Sequence, residues 1–146
     1  MILFMWDIKD NKKQIIKYFI ITIGTGILSF IYELFSHEVY SPYMIYSFLI
    51  PLLGMIIYMV IYFTKASKFI NKISMELFNC SILTFTLYSI LNGILEIYGT
   101  TNYLVAVYLK IGVILVIFGI IINISYNLIK KEGMNNEKIN FRNNDK

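Results

Sequence analysis

Charge is scarce in this chain, and so are the residues on which most site chemistry depends. Only 15% of the 146 residues are charged, where a soluble domain of this length carries about a quarter. A single cysteine, Cys80, excludes an intrachain disulfide, a CxxC redox pair and a cysteine-rich metal site. A single histidine, His37, excludes any motif that needs two, such as HExxH. Serines are plentiful, but none stands in a recognisable nucleophilic arrangement with His37. The carboxylates and the one imidazole lack tight ligand spacing, so neither a metal nor another cofactor is expected.

Apolar length is what the chain has in quantity. Hydrophobic residues make up 58% of it, and the mean hydropathy is +0.66. Four long apolar runs cover about residues 15–35, 43–63, 77–97 and 104–129. Each suffices for a helix rising 1.5 Å per residue to cross a hydrocarbon core of about 30 Å. Uninterrupted runs exclude a β-barrel, whose strands alternate polar and apolar residues. The expected fold class is therefore all-α: an integral membrane four-helix bundle with up-down topology, built from two helical hairpins. The first run is too long for a signal h-region, and no small-x-small cleavage site follows it. Residues 1–14 read as a cytoplasmic or interfacial segment, with Trp6 as an anchor at the headgroup level. Residues 130–146 are polar and Asn-rich, and read as a disordered cytoplasmic tail.

The lysines and the arginine give an orientation. Lys9, Lys12, Lys13 and Lys17 flank the first span; Lys65, Lys68 and Lys72 lie between the second and third; Lys130, Lys131, Lys138, Arg142 and Lys146 follow the fourth. The loops 36–42 and 98–103 carry no Lys or Arg. Twelve of the thirteen basic residues thus fall on one side, which the positive-inside rule assigns to the cytoplasm of a cell membrane. Lys110 is the exception and reads as a snorkelling side chain. The basic inner loop 64–75 reads as a short interfacial helix. A net charge of +4 distributed in this way points to membrane topology rather than to nucleic acid.

Polar residues inside spans mark the faces turned away from lipid. The first stripe is Tyr18, Thr22, Thr25, Gly26, Ser29, Glu33, Ser36 and His37. The second is Tyr43, Ser47, Pro51, Gly54, Tyr58 and Tyr62, and Pro51 is expected to bend its helix. The third is Ser81, Thr84, Tyr88, Ser89, Asn92 and Glu96; the fourth is Tyr108, Gly112, Gly119, Asn123 and Asn127. Most such residues serve helix packing, through small contacts and interhelical hydrogen bonds. The ionisable ones are different, because a charge inside a span is costly. Glu33, His37 and Glu96, with Asn92 beside Glu96, share the outer end and form the candidate binding site. Such a site can hold a cation, a basic ligand or a shuttled proton.

Two segments carry a resemblance. Tyr32-Glu33-Leu34-Phe35-Ser36-His37-Glu38-Val39-Tyr40-Ser41-Pro42-Tyr43-Met44 resembles the first outer hairpin of a set of small, uncharacterised four-span membrane proteins from low-GC Gram-positive bacteria. Gly93-Ile94-Leu95-Glu96-Ile97-Tyr98-Gly99-Thr100-Thr101-Asn102 resembles their second. Where those proteins often have glycine after the histidine, this chain has Glu38. The resemblance implies four spans and no particular activity. Three functional readings stand at this point: a membrane-embedded ligand- or ion-binding or transport module; a non-catalytic accessory, immunity or assembly protein working through helix contacts; and a lipid-headgroup enzyme, for which a nucleophile or metal motif is lacking. The expected partners are the bilayer and either a second copy or another membrane protein. The small multidrug exporters also have four spans and a membrane-embedded glutamate, but their glutamate lies at the midplane.

Overall fold

The computed structural model describes residues 11–36, 39–64 and 70–144, with side chains placed for those between 12 and 132. All regular structure among the described residues is helical. The elements are α1 (Asn11–Phe35), α2 (Pro42–Ile45), α3 (Leu49–Thr64), α4 (Lys72–Ile97), a 3-10 turn (Tyr103–Val105) and α5 (Ala106–Asn144). They supply four segments long and apolar enough to cross a membrane: Lys12–Phe35, Pro42–Thr64, Lys72–Ile97 and Tyr103–Glu132. Even the shortest, of 23 residues, reaches about 35 Å as a helix, enough to span the hydrocarbon core. The chain is a multi-pass membrane protein. Its outward faces are correspondingly apolar: Ile16, Phe19, Ile20 and Ile23 on α1, and Ile114, Ile117, Ile121 and Ile124 on α5, are about half exposed or more.

The second span is broken rather than bent. Pro51 cannot donate to the Ser47 carbonyl four residues earlier, and the helix gives way at Tyr46–Phe48. Bonds of the i to i−3 kind carry the chain through the break, from Ser47 N to Met44 O and from Leu49 N to Tyr46 O. The helix then restarts at Leu49, with Pro51 in its first turn, where proline is tolerated. The detached turn α2 packs against α4 and against α1.

Helix α4 is the central element and buries two faces. One face meets α5. Ser74 Oγ donates to the Gly119 carbonyl at 2.7 Å, and Ser81 Oγ to the Gly112 carbonyl at 3.0 Å. Phe78 and Phe85 lie against the same two glycines. Both pairs recur after seven residues, the spacing of a left-handed helix crossing. The other face meets α1, α2 and α3 through Asn79, Ile82, Ser89 and Gly93. The core cluster lies on this side: Tyr18, Tyr58 and Met75, with Ile15, Met55, Ile70 and Ile82 around it.

Some expectations change accordingly. The single inward stripe assigned to the third span is two stripes: Ser81 faces α5, whereas Ser89 donates to the Tyr43 carbonyl of α2 at 2.7 Å. At 3.6 residues per turn these two serines stand about 80° apart. The third span begins at Lys72, where the Asn71 side chain caps it by accepting from Ile73 N; residues 65–69, in the loop expected to form an interfacial helix, lie outside the described residues. The fourth helix does not end with its apolar run. It continues to Asn144 through the segment read as disordered, in which there is no proline to stop it. Lys17 is not a flanking residue. It sits inside α1 and is only 5% exposed, with its ammonium 5.6 Å from the Tyr18 ring centroid. Lys110 is exposed, away from the Gly112–Gly119 seam.

Candidate functional site

Residues 39–41 and 98–102 sit at the end of the bundle opposite Lys12, Lys17 and Lys72. Here α4 ends in a Schellman motif. Gly99 adopts φ +67°, its N–H bonds to the Glu96 carbonyl at 3.0 Å, and Thr100 N bonds to the Leu95 carbonyl at 2.9 Å. A left-handed residue at this position favours glycine, which has no Cβ to clash. The turn throws Thr100–Asn102 back across the end of α4. Asn102 then caps the 3-10 turn by accepting from Leu104 N at 2.9 Å.

Glu96 occupies the last turn of α4, and its carboxylate is braced. Ser41, fully buried, donates its hydroxyl to Glu96 Oε2 at 2.5 Å. Ser41 is also the residue that precedes α2, yet its side chain does not cap that turn; the hydroxyl is committed to Glu96 instead. Two further contacts dock α2. The Ser89 hydroxyl holds the Tyr43 carbonyl. At Gly93, a Cβ would stand 2.8 Å from Met44 Cβ and 2.9 Å from Met44 N, so only glycine lets α2 approach this closely. Asn92, Glu96, Tyr43, Thr101, Asn102 and Tyr103 line one cleft of about 400 Å³.

Glu33 belongs to a different cleft. It shares a space of about 290 Å³ with Gly26, Ser29, Phe30, Ile45 and Phe48. Helix α2 stands between the two spaces, giving Tyr43 to one and Ile45 to the other. The structure thus brings Asn92 and Glu96 together and sets Glu33 apart from them. His37 lies outside the described residues. Among the described residues, no three His, Cys, Asp or Glu side chains converge as a metal would require.

A second polar centre escaped the stripe reading. At the lysine-bearing end, the Tyr18 and Tyr58 hydroxyls both donate to Asn79 Oδ1 at 2.7 Å, and the two rings stack with centroids 5.5 Å apart. All three residues are buried. Gln14, only 1% exposed, lies one turn before Tyr18 on α1, and its Oε1 has no partner among the described residues. Tyr18 and Tyr58 stand on their expected faces, but Asn79 lies off the stripe assigned to its helix. The sequence signal was present in the recurrence of Asn79, Thr86, Ser89 and Gly93 at steps of seven, three and four. Tying α1, α3 and α4 together through one buried amide oxygen, this centre reads as an interhelical clamp.

Compared with protein-family models, curated proteins and solved structures, the chain matches none.

Proposed function

We propose that this protein is a membrane-embedded binding module for a small organic cation. In this reading the site is the Glu96 cleft, at the outer end of the bundle. Both termini are cytoplasmic, as the one-sided distribution of basic residues supports. The chain would then stand beside the four-span proteins of low-GC Gram-positive bacteria that its hairpins resemble.

The braced carboxylate carries the reading. Glu96 is exposed at the end of its span, and an ionisable residue within a span is by default a functional candidate. Glu96 is fixed by a buried hydroxyl on one oxygen and stands on the wall of a 400 Å³ cleft. Tyr43 and Tyr103 add aromatic faces to that wall, and aromatic faces beside a carboxylate suit an ammonium group. The Asn92 and Thr101 side chains offer hydrogen bonds to hydroxyl or amine substituents. Cleft size limits the ligand to a small molecule or the headgroup of a lipid.

The test uses the full chain in lipid nanodiscs and follows thermal unfolding against tetramethylammonium and ethanolammonium chloride. At a fixed, saturating NaCl concentration the midpoint should rise further with either cation and not with an equal addition of KCl, and Glu96→Gln should abolish the rise. An equal response in wild type and Glu96→Gln, or no response to any organic cation, would refute the proposal and favour the accessory reading.

A further inference from the structure

The Glu33 cleft carries an inference of its own, independent of the organic-cation reading. Glu33 Oε1 is shut off from solvent and has no hydrogen-bond partner among the described residues. An uncompensated carboxylate oxygen at the end of a membrane span is expensive. Among the described residues, the surroundings supply neutral oxygens. Ser29, one turn earlier on α1, is buried, lines the same cleft and shares a 2.7 Å hydrogen bond with the Ser47 hydroxyl across the helix pair.

The break in the second span adds more. Pro51 leaves the Ser47 carbonyl without its usual donor. Leu49 N turns to the Tyr46 carbonyl, so the Ile45 carbonyl is also left without an amide among the described residues. Ile45 itself lines the cleft. Glu33, Ser29 and Ile45 line the cleft, and Ser47 meets it through its bond to Ser29; a carboxylate, hydroxyls and freed carbonyls are all oxygen donors, which suit a hard cation. With a single carboxylate, a monovalent ion brings the site to neutrality, while a divalent ion would leave an uncompensated charge.

We propose that the Glu33 cleft is a sodium-ion site, formed by the Glu33 carboxylate, the Ser29–Ser47 hydroxyl pair and the carbonyls released where Pro51 breaks the second span. Because α2 separates this cleft from the Glu96 cleft, an ion that fixes α2 on one side also fixes Tyr43 on the other. The two sites therefore share a mechanical element without sharing a ligand.

The test is thermal unfolding of the full chain in nanodiscs, titrated with NaCl against KCl at constant ionic strength. The wild-type midpoint should rise with sodium and saturate, with a clearly weaker response to potassium. Glu33→Gln should remove the sodium response, and Ser29→Ala should weaken sodium affinity by about tenfold or more, as for loss of one partner in an ion site. Glu96→Gln should leave the response intact, which separates this proposal from the previous one. Equal responses to sodium and potassium, no response, or a response unchanged in Glu33→Gln would overturn it. If Glu33→Gln does not fold, sodium-23 line broadening in wild type and Ser29→Ala decides: no broadening, or equal broadening in both, overturns the proposal.

Discussion

Replacing Gly93 with alanine tests how tightly the broken span is docked on α4. The added Cβ would lie 2.8 Å from Met44 Cβ, 2.9 Å from Met44 N and 3.0 Å from Met44 Cα. Non-bonded heavy atoms settle about 3.5–4.0 Å apart, so α2 must retreat by somewhat under about 1 Å. Met44 is fully buried, so the strain cannot be relieved by a swinging side chain. The retreat would stretch the 2.7 Å bond from Ser89 to the Tyr43 carbonyl and the bond from Ser41 to Glu96 beyond the ordinary O–H···O range of about 2.5–3.0 Å and weaken both. Overpacking costs about 1–3 kcal/mol, and each interhelical bond in a membrane about 0.6 kcal/mol. Alanine returns about 1 kcal/mol of helix propensity. The net expectation is a loss of about 1–3 kcal/mol, measured by reversible unfolding in mixed micelles of dodecyl sulfate. Gly119→Ala is the comparator, because a Cβ there meets its nearest neighbour at an ordinary 3.5 Å; it should be neutral or stabilising by up to about 1 kcal/mol. A Gly93→Ala protein as stable as wild type would refute the close docking of α2.

Asn79→Ala strips the acceptor from two buried tyrosine hydroxyls and should cost about 1–3 kcal/mol. In a Tyr18→Phe/Tyr58→Phe background the same change should cost less, and strict additivity in that cycle would argue against the clamp. Gly99→Ala forces a Cβ into a left-handed residue at φ +67°, which should destabilise by about 1–2 kcal/mol; unchanged unfolding would mean that the turn after α4 tolerates another conformation.

The span count, their order and much of the buried polar surface were legible from residue spacing. Tyr18, Ser29, Ser47, Gly54, Tyr58, Gly112 and Gly119 lie buried on the faces that the stripes assign to them. Helix α4 was harder to read, because one stripe was sought where two exist. A helix packed on both sides spreads its small and polar residues around the circumference, and Asn79 and Gly93 were missed for that reason; Ser74 was missed because the span was taken to begin at residue 77, whereas the helix begins at Lys72. The candidate site shows the same limit. Proximity of Asn92 and Glu96 follows from helical spacing, since residues four apart share a face. The separation of Glu33 from Glu96 does not. It depends on how far Pro51 disrupts its helix, and a proline in a hydrophobic run signals a kink without telling whether the preceding turn detaches. Ser41 carried no sequence signal at all: its role arises from a tertiary contact spanning 55 positions of chain.

Sided binding of labelled tetramethylammonium to sealed membrane vesicles containing the full chain tests the proposed site and its orientation together. Right-side-out vesicles should bind the cation with an affinity that Glu96→Gln abolishes, and intact inside-out vesicles should bind it only after permeabilisation. Binding to intact inside-out vesicles alone, or binding that survives Glu96→Gln, would contradict an outward-facing cation site at the end of α4.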